Sequence, residues 1–305
     1  IKVNIDEEEN EISIENGGRG IPVEIHKEYG IYVPELIFGR LLTSSNYNDN
    51  VKKVTGGRNG YGAKLTNIFS TQFVVETADS RQKKYYKQVF RKNMLEHDEP
   101  IIKAYKEHDF TRITFKPDLE KFKMDKLDKD IIALFKKRVF DMAGVTPRKV
   151  SVYLNGDKLN VKDFSSYMTM YLNASKEEDE DDPVKIFEAP DERWEIGFSL
   201  AESTFQQVSF VNSICTSKGG THVNYVTEKI INCLIDIVQK KGKGMDIKPS
   251  HIKSHMWVFV NCLIENPAFD SQTKETLTLK ASAFGSKFDF SDTFIKQVKK
   301  SGIIC

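Results

Sequence analysis

The sequence predicts an α+β fold built in two parts. Residues 1–6 and 11–15 alternate apolar and polar around the acidic turn Asp6-Glu7-Glu8-Glu9-Asn10, the pattern of a β-hairpin. Further strand-like runs are hairpin-like and mixed with helical spacings, which reads as an α+β sandwich. The 305 residues are too many for one small core and suffice for two domains, expected at 1–160 and 161–305.

In chain order, the second strand of the hairpin runs into Asn16-Gly17-Gly18-Arg19-Gly20-Ile21-Pro22, a tight glycine turn. Pro34 suits the first turn of a helix that continues to Leu42. Residues 43–59 are long, polar and glycine-bearing, as a lid or binding loop would be. A helix is expected to start at Lys64 and run to Phe69. Strands are expected over Gln72 to Thr77, Tyr85 to Phe90, Thr111 to Phe115 and Lys149 to Leu154, the last closed by an Asn155-Gly156 turn. Between them Leu127, Ile131, Leu134 or Phe135, and Val139 recur at helical spacing, stopping near Gly144.

The second part opens on a short helix, Asp163 to Leu172, followed by the acidic block Glu177 to Asp182, a solvated loop. Trp194 to Leu200 and Gln207 to Val211 read as strands. Val223, Val226, Ile230, Leu234 and Ile237 make one apolar stripe on a long helix that ends in Gln239-Lys240-Lys241-Gly242-Lys243-Gly244. Met256 to Ile264 is almost wholly apolar, as a central strand would be, and Asp292 to Lys299 resembles a final helix.

Composition bounds the function. Hydrophobic residues make up 39% and charged residues 29%, and no apolar run approaches the roughly 20 residues a bilayer crossing needs. The formal charge of +1 gives no global pull toward nucleic acid, so any such pull is local. Cys215, Cys233, Cys262 and Cys305 have no C-x-x-C spacing and are expected as reduced thiols. His251 and His255 could share a helix face, but no Cys or acidic partner completes a zinc site nearby. The chain begins within what reads as a strand, so its natural N-terminus is expected upstream.

The stretch Thr55-Gly56-Gly57-Arg58-Asn59-Gly60-Tyr61-Gly62-Ala63-Lys64 carries the strongest chemical signal. Four glycines in seven residues let backbone approach a ligand closely, and a helix start just beyond adds free N–H groups and partial positive charge. Lys64 sits where its ammonium could reach a phosphate, so the stretch reads as a triphosphate cradle. Glycine clusters also mark ordinary surface loops. It is neither a Walker loop, since Ala63 breaks that pattern, nor a dinucleotide fingerprint, since Leu65 replaces the third glycine.

The glycine turn at 16–22, the run Leu41-Leu42-Thr43-Ser44-Ser45-Asn46-Tyr47, the stretch Val54 to Lys64 and the run Ile264-Glu265-Asn266-Pro267-Ala268-Phe269-Asp270-Ser271-Gln272-Thr273-Lys274-Glu275 together resemble the N-terminal ATPase region of eukaryotic type IIA DNA topoisomerases. That region belongs to the GHKL group, shared with gyrase, heat-shock chaperones, mismatch-repair proteins and histidine kinases. The resemblance covers essentially the whole chain; the second and fourth runs narrow it from the group to the topoisomerases.

The resemblance implies a GHKL (Bergerat) α/β sandwich followed by a smaller α+β transducer with a ribosomal-protein-like fold. It implies ATP and Mg²⁺ as cofactors. Asn16 would hold the adenine amino group, which is a donor and needs an acceptor. Ser44, Ser45 and Asn46 would contact ribose and phosphate. Arg58, Asn59, Gly60, Tyr61, Gly62 and Lys64 would form the phosphate loop. Gln272 and Lys274 would reach from the transducer to the γ-phosphate and sense its presence. Lys240, Lys241 and Lys243 would face transported DNA as mobile charges that read no sequence.

The same resemblance implies a nuclear, homodimeric parent that acts on double-stranded DNA and has no membrane association. The parent would be an ATP-dependent topoisomerase in which nucleotide closes a gate around one duplex. The family's general-base Glu, its Mg²⁺-binding Asn and the partner-reaching arm are expected upstream of this chain, and the DNA-cleaving Tyr downstream. Poor ATP binding and negligible turnover are therefore expected of the chain alone. Two other readings remain open at this point: a GHKL chaperone or repair clamp acting on a protein client, and a nucleotide-dependent interaction module without catalysis. The run ending Gln272-Thr273-Lys274 argues against the clamp.

Overall fold

A computed structural model describes residues 1–41, 43, 51–57, 60–177, 181–241 and 248–303, with the side chains of 236–241 excepted. The chain divides into two compact units. The first comprises residues 1–48, 57–143 and 148–160, and the second residues 49–56, 144–147 and 161–305.

The first unit begins with strand β1 (Lys2–Asp6), hairpinned to β2 (Glu11–Asn16) with Ile5 opposite Ile12. Helix α1 (Val33–Gly39) starts with proline in its first turn, and α2 (Tyr61–Ile68) follows. Then come β3 (Ser70–Asp79), β4 (Lys84–Arg91), β5 (Glu96–His97), β6 (Ile101–Ala104) and β7 (Phe110–Pro117). Helix α3 (Lys129–Val145), β8 (Tyr153–Leu154) and β9 (Asp157–Lys158) complete it.

These strands form one nine-stranded sheet in the order β5-β4-β3-β7-β2-β1-β8-β9, with β6 paired to β4. Because side chains alternate across a strand, the apolar residues of the three central strands share one face. There Ile14 lies opposite Ile113, which lies opposite Val75, and Ile12 opposite Phe115, which lies opposite Phe73. Phe38 of α1 covers Phe73 and Val75, while Leu127 and Ile132 cover Ile12. Ile14, between these two clusters, stays 42% exposed.

Two sequence expectations shift here. The helix expected from Lys64 begins at Tyr61, because Gly60 adopts φ +67° and turns the chain before it. Gly62, a poor helix former, therefore lies inside the first turn. The strand expected over Lys149 to Leu154 pairs only at Tyr153 and Leu154, since its partner on β1 reaches only Lys2 and Val3. The Asn155-Gly156 turn has φ +49° and +89°, the positive values that a tight hairpin requires.

The second unit opens on α4 (Phe164–Ser175), whose N-cap Asp163 accepts from Ser166 N at 2.8 Å. Strands β10 (Ile186–Asp191), β11 (Trp194–Leu200), β12 (Gln206–Val211) and β13 (Ile214–Cys215) precede the long helix α5 (Thr221–Lys241). Short α6 (Pro249–Ser254), β14 (Met256–Cys262) and α7 (Asp292–Lys300) follow.

The sheet order is β10-β11-β14-β12-β13, so the apolar β14 is central, as its composition demanded. Val226, Ile230 and Leu234 of α5 and Phe294 and Val298 of α7 pack on Ile196, Phe198, Val258 and Val260 in one core. No described helix is long and apolar enough to cross a membrane.

Candidate functional site

In the first unit, Asn16 ends β2 and is exposed. It lies opposite Thr111 of β7, and Thr111 lies opposite Thr77 of β3. The three polar side chains form one rung that continues the apolar face of Ile14, Ile113 and Val75. Val75 and Thr77 are fully buried, so only the Asn16 and Thr111 end of the rung, beside the 42%-exposed Ile14, can meet a ligand, and an amide and a hydroxyl there suit the polar edge of a heterocyclic base.

The glycine turn is fastened beside this rung. Ile21 N donates to Thr77 Oγ1 at 3.0 Å, and Thr77 Oγ1 donates to Phe110 O at 2.9 Å. Val23 N donates to Gln82 Oε1 at 2.8 Å. Gly20 presses so closely on β3 that a Cβ there would lie 1.7 Å from Ala78 O, so only glycine fits. Sequence reading passed over Thr77 and Thr111, because only strand register places them level with Asn16.

The start of α2 is the second element. Gly60 is its N-cap and contributes no side-chain hydrogen bond, leaving the first N–H groups of an eight-residue helix open to a ligand. A Cβ at Gly57 or Gly62 would meet nothing within 4 Å, so the backbone there is open to close approach. Lys64 is only 2% exposed, and its Nζ donates to Gly60 O at 3.2 Å. An ammonium has three N–H donors, and this carbonyl is its acceptor among the described residues. Burial pushes the Lys64 pKa below the ordinary lysine value.

Helix α2 packs against β3 and β7. Asn67 of α2 is fully buried and ties the helix to α1 by donating to Phe38 O at 3.1 Å.

The second unit holds Gln272 and Lys274 on a tight loop. Asp270 N donates to Thr276 O at 3.1 Å, closing the loop, and Lys274 itself has φ +58°. Gln272 is exposed. Lys274 Nζ donates to Gly56 O at 2.7 Å, and burial lowers its pKa.

Beneath the loop, Lys218 N donates to Glu275 O at 3.0 Å and Lys218 Nζ pairs with Glu275 at 2.7 Å. Leu277 N donates to Gly219 O at 3.1 Å. Deeper still, the fully buried His222 is 3.0 Å from Thr216 Oγ1, which is itself in contact with Ser209 Oγ. Desolvation drives the His222 pKa down to about 3, so the ring is neutral.

Of the other expected site residues, Ser44, Ser45, Asn46, Arg58, Asn59 and Lys243 lie outside the described residues. Lys240 and Lys241 end α5, and their side chains lie outside the description. Thr43 is held by donating to Leu36 O at 3.1 Å.

The donor set tests the implied cofactors. Open amides, unhindered glycines and a buried ammonium fit a polyphosphate, and the Asn16 and Thr111 end of the rung fits the polar edge of a base. Among the described residues no group of three or more His, Cys, Asp or Glu could hold a metal ion, so nothing is derived through Mg²⁺.

Comparison with known proteins agrees with this chemistry. Residues 160–304 match the family model for DNA gyrase B. The chain is 58% identical over its full length to DNA topoisomerase 2 of Arabidopsis thaliana, spanning 21% of that protein. It is 54% identical over its full length to DNA topoisomerase 2-beta of Homo sapiens, spanning 19% of that protein.

Among solved structures, the ATPase region of Saccharomyces cerevisiae topoisomerase II superposes with TM-score 0.92 at 47% identity, covering 99% of this chain and 77% of that one. The ATPase and transducer domains of Balamuthia mandrillaris DNA topoisomerase II give TM-score 0.92 at 43% identity, with 99% and 76% coverage. The 43K ATPase domain of Thermus thermophilus gyrase B, at 20% identity and TM-score 0.60 over 98% of this chain and 76% of that one, shares the fold.

Proposed function

This chain belongs to the DNA topoisomerase II family and corresponds to its ATPase region, and from that premise we propose that it is the ATP-operated gate of an ATP-dependent type II DNA topoisomerase. In this reading nucleotide binding closes two copies around one DNA duplex, which is passed through another. Residues 1–160 are the nucleotide-binding domain and 161–305 the transducer. The parent is a nuclear homodimer acting on double-stranded DNA.

The observation that carries the reading is Lys64: a buried cation, supplied with one carbonyl among the described residues, behind an uncapped helix start that glycines leave open. Its charge is uncomfortable there without an anion, and burial makes an ion pair stronger than it would be in water. When bound, ATP supplies a terminal phosphate that is present before hydrolysis and lost after it.

The chain's own residues do the rest. Asn16 Oδ1 accepts from the base, with Thr77 and Thr111 level with it. Ser44, Ser45 and Asn46 hold ribose and phosphate. The amides of Gly60, Tyr61 and Gly62 donate to phosphate oxygens, and Arg58, Asn59 and Lys64 add charge and hydrogen bonds. Lys274 and Gln272 donate to the terminal phosphate, so its loss frees them. Lys240, Lys241 and Lys243 bind DNA phosphates. Mg²⁺ is taken as the nucleotide's companion ion, and no described residue is assigned to it.

The test is relaxation of supercoiled plasmid by the full-length protein. Relaxation should require ATP, and Lys64→Met, which keeps the apolar stem but removes the charge, should slow it at least tenfold. Undiminished relaxation by that variant, or relaxation without nucleotide, would refute the reading.

A further inference from the structure

Residues 51–56 precede the glycine loop in sequence yet belong to the second unit, and two asparagines hold them there. Asn266 accepts from Lys53 N through Oδ1 at 3.1 Å, and its own N–H donates to Lys53 O at 2.9 Å. Asn212 donates through Nδ2 to Thr55 O at 3.2 Å and to Ile264 O at 2.9 Å, while its Oδ1 accepts from Ile264 N at 2.8 Å.

Both asparagines adopt left-handed backbone conformations, with φ +49° at Asn212 and +43° at Asn266. Asparagine tolerates that region better than most side chains, and here it also supplies the hydrogen bonds. Gly56 completes the seat: a Cβ there would lie 2.7 Å from Ile214 Cδ1 and 3.0 Å from Asn212 O. The chain leaves this seat at Gly56 and enters the glycine loop at the next residue.

We propose that Asn212 and Asn266 are positioning residues that clamp the strap 53–56 to the second unit, so that a change in the glycine loop is felt in that unit through the backbone as well as through Lys274. A strap fixed at Lys53, Thr55 and Gly56 leaves little slack before Gly57. An anion held by the amides of residues 60–62 then changes the strain on β12, β13 and the segment that follows β14. The proposal rests on the nucleotide reading of the glycine loop given above.

The hydrogen-bond directions give a discriminating test in the full-length protein. Asn266 uses its side-chain oxygen toward Lys53, so Asn266→Asp keeps the bond and Asn266→Ala loses it. Asn212 uses both amide atoms, so Asn212→Asp places a carboxylate against the carbonyls of Thr55 and Ile264.

Hydrogen exchange would be followed at residues 60–64 and 206–215, with and without a non-hydrolysable ATP analogue. Wild type and Asn266→Asp should show analogue-dependent slowing at both segments. Asn266→Ala and Asn212→Asp should bind the analogue within about threefold of wild type and keep the slowing at 60–64. They should lose at least fivefold of it at 206–215. Should Asn212→Asp fail to fold, the Asn266 pair alone decides. Unchanged slowing at 206–215 in Asn266→Ala, or equal losses in Asn266→Ala and Asn266→Asp, would overturn the proposal. Failure of the analogue to slow exchange at 60–64 in wild type would instead overturn the nucleotide reading beneath it.

Discussion

The ammonium of Lys274 rests 2.7 Å from the carbonyl oxygen of Gly56, 218 residues earlier in the chain. A carbonyl is a weak partner for a cation compared with a phosphate oxygen, so the contact is one that an anion can displace. Lys274→Met should therefore lower ATP turnover by the full-length protein about 10- to 100-fold, on the scale of one charge-assisted hydrogen bond of about 1.5–3 kcal/mol. Burial lowers the Lys274 pKa, so its charge is lost on the alkaline side earlier than for an exposed lysine. Affinity for a triphosphate should fall as pH rises through that lowered value, and the fall should vanish in the Met variant. Isothermal titration with a non-hydrolysable analogue across alkaline pH checks both.

Gly20 and Gly17 share one turn and should respond oppositely to alanine. A Cβ at Gly20 collides with Ala78 O, whereas one at Gly17 meets nothing within 4 Å. Gly20→Ala must displace backbone beside the Asn16 rung and should cost about 2 kcal/mol or more, while Gly17→Ala should stay within about 0.5 kcal/mol. Thermal unfolding of the two variants, with analogue binding measured alongside, separates them.

His222 makes the second unit acid-sensitive. The unfolded chain takes up a proton near the ordinary value of 6.5, whereas the folded chain resists until about 3. Stability from this group is complete above pH 6.5 and drains as pH falls toward 3, because the unfolded state then holds more protons. At pH 4.5 the loss should be about 2–3 kcal/mol. His222→Gln should flatten this part of the profile, which denaturant titrations from pH 4.5 to 7.5 would reveal.

The lysines at the end of α5 should contribute to DNA binding without sequence preference. Replacing Lys240, Lys241 and Lys243 together by alanine should reduce the slope of log affinity against log salt by about 2.7, at roughly 0.9 per phosphate contact. Filter binding of the full-length protein to unrelated duplexes over a salt series measures it; an unchanged slope excludes the role.

Much of this was legible in the sequence because the signals were local. Alternation placed β1 and β2, strand-like runs placed β3, β4 and β7, and the apolar run from Met256 correctly identified the middle strand of the second sheet. Four short motifs led to Asn16, Lys64 and Lys274. What escaped depends on distant pairing. Thr77 and Thr111 gain their place only through the register of three strands. The Lys53–Asn266 and Thr55–Asn212 bonds span 213 and 157 residues, and nothing near either asparagine announces its partner. Strand β10 was missed because Glu188 and Pro190 break its apolar pattern, and helix α6 because six residues make fewer than two helical turns.

The excursion of residues 49–56 into the second unit also governs how the protein can be taken apart. A cut after residue 160 would separate Lys53 and Thr55 from Asn266 and Asn212, and the downstream piece would lose the bonds those asparagines make to the strap. Separately expressed halves should therefore be poor mimics of the intact molecule, and chimaeras between homologues should work best when residues 49–56 are inherited from the same parent as residues 161–305.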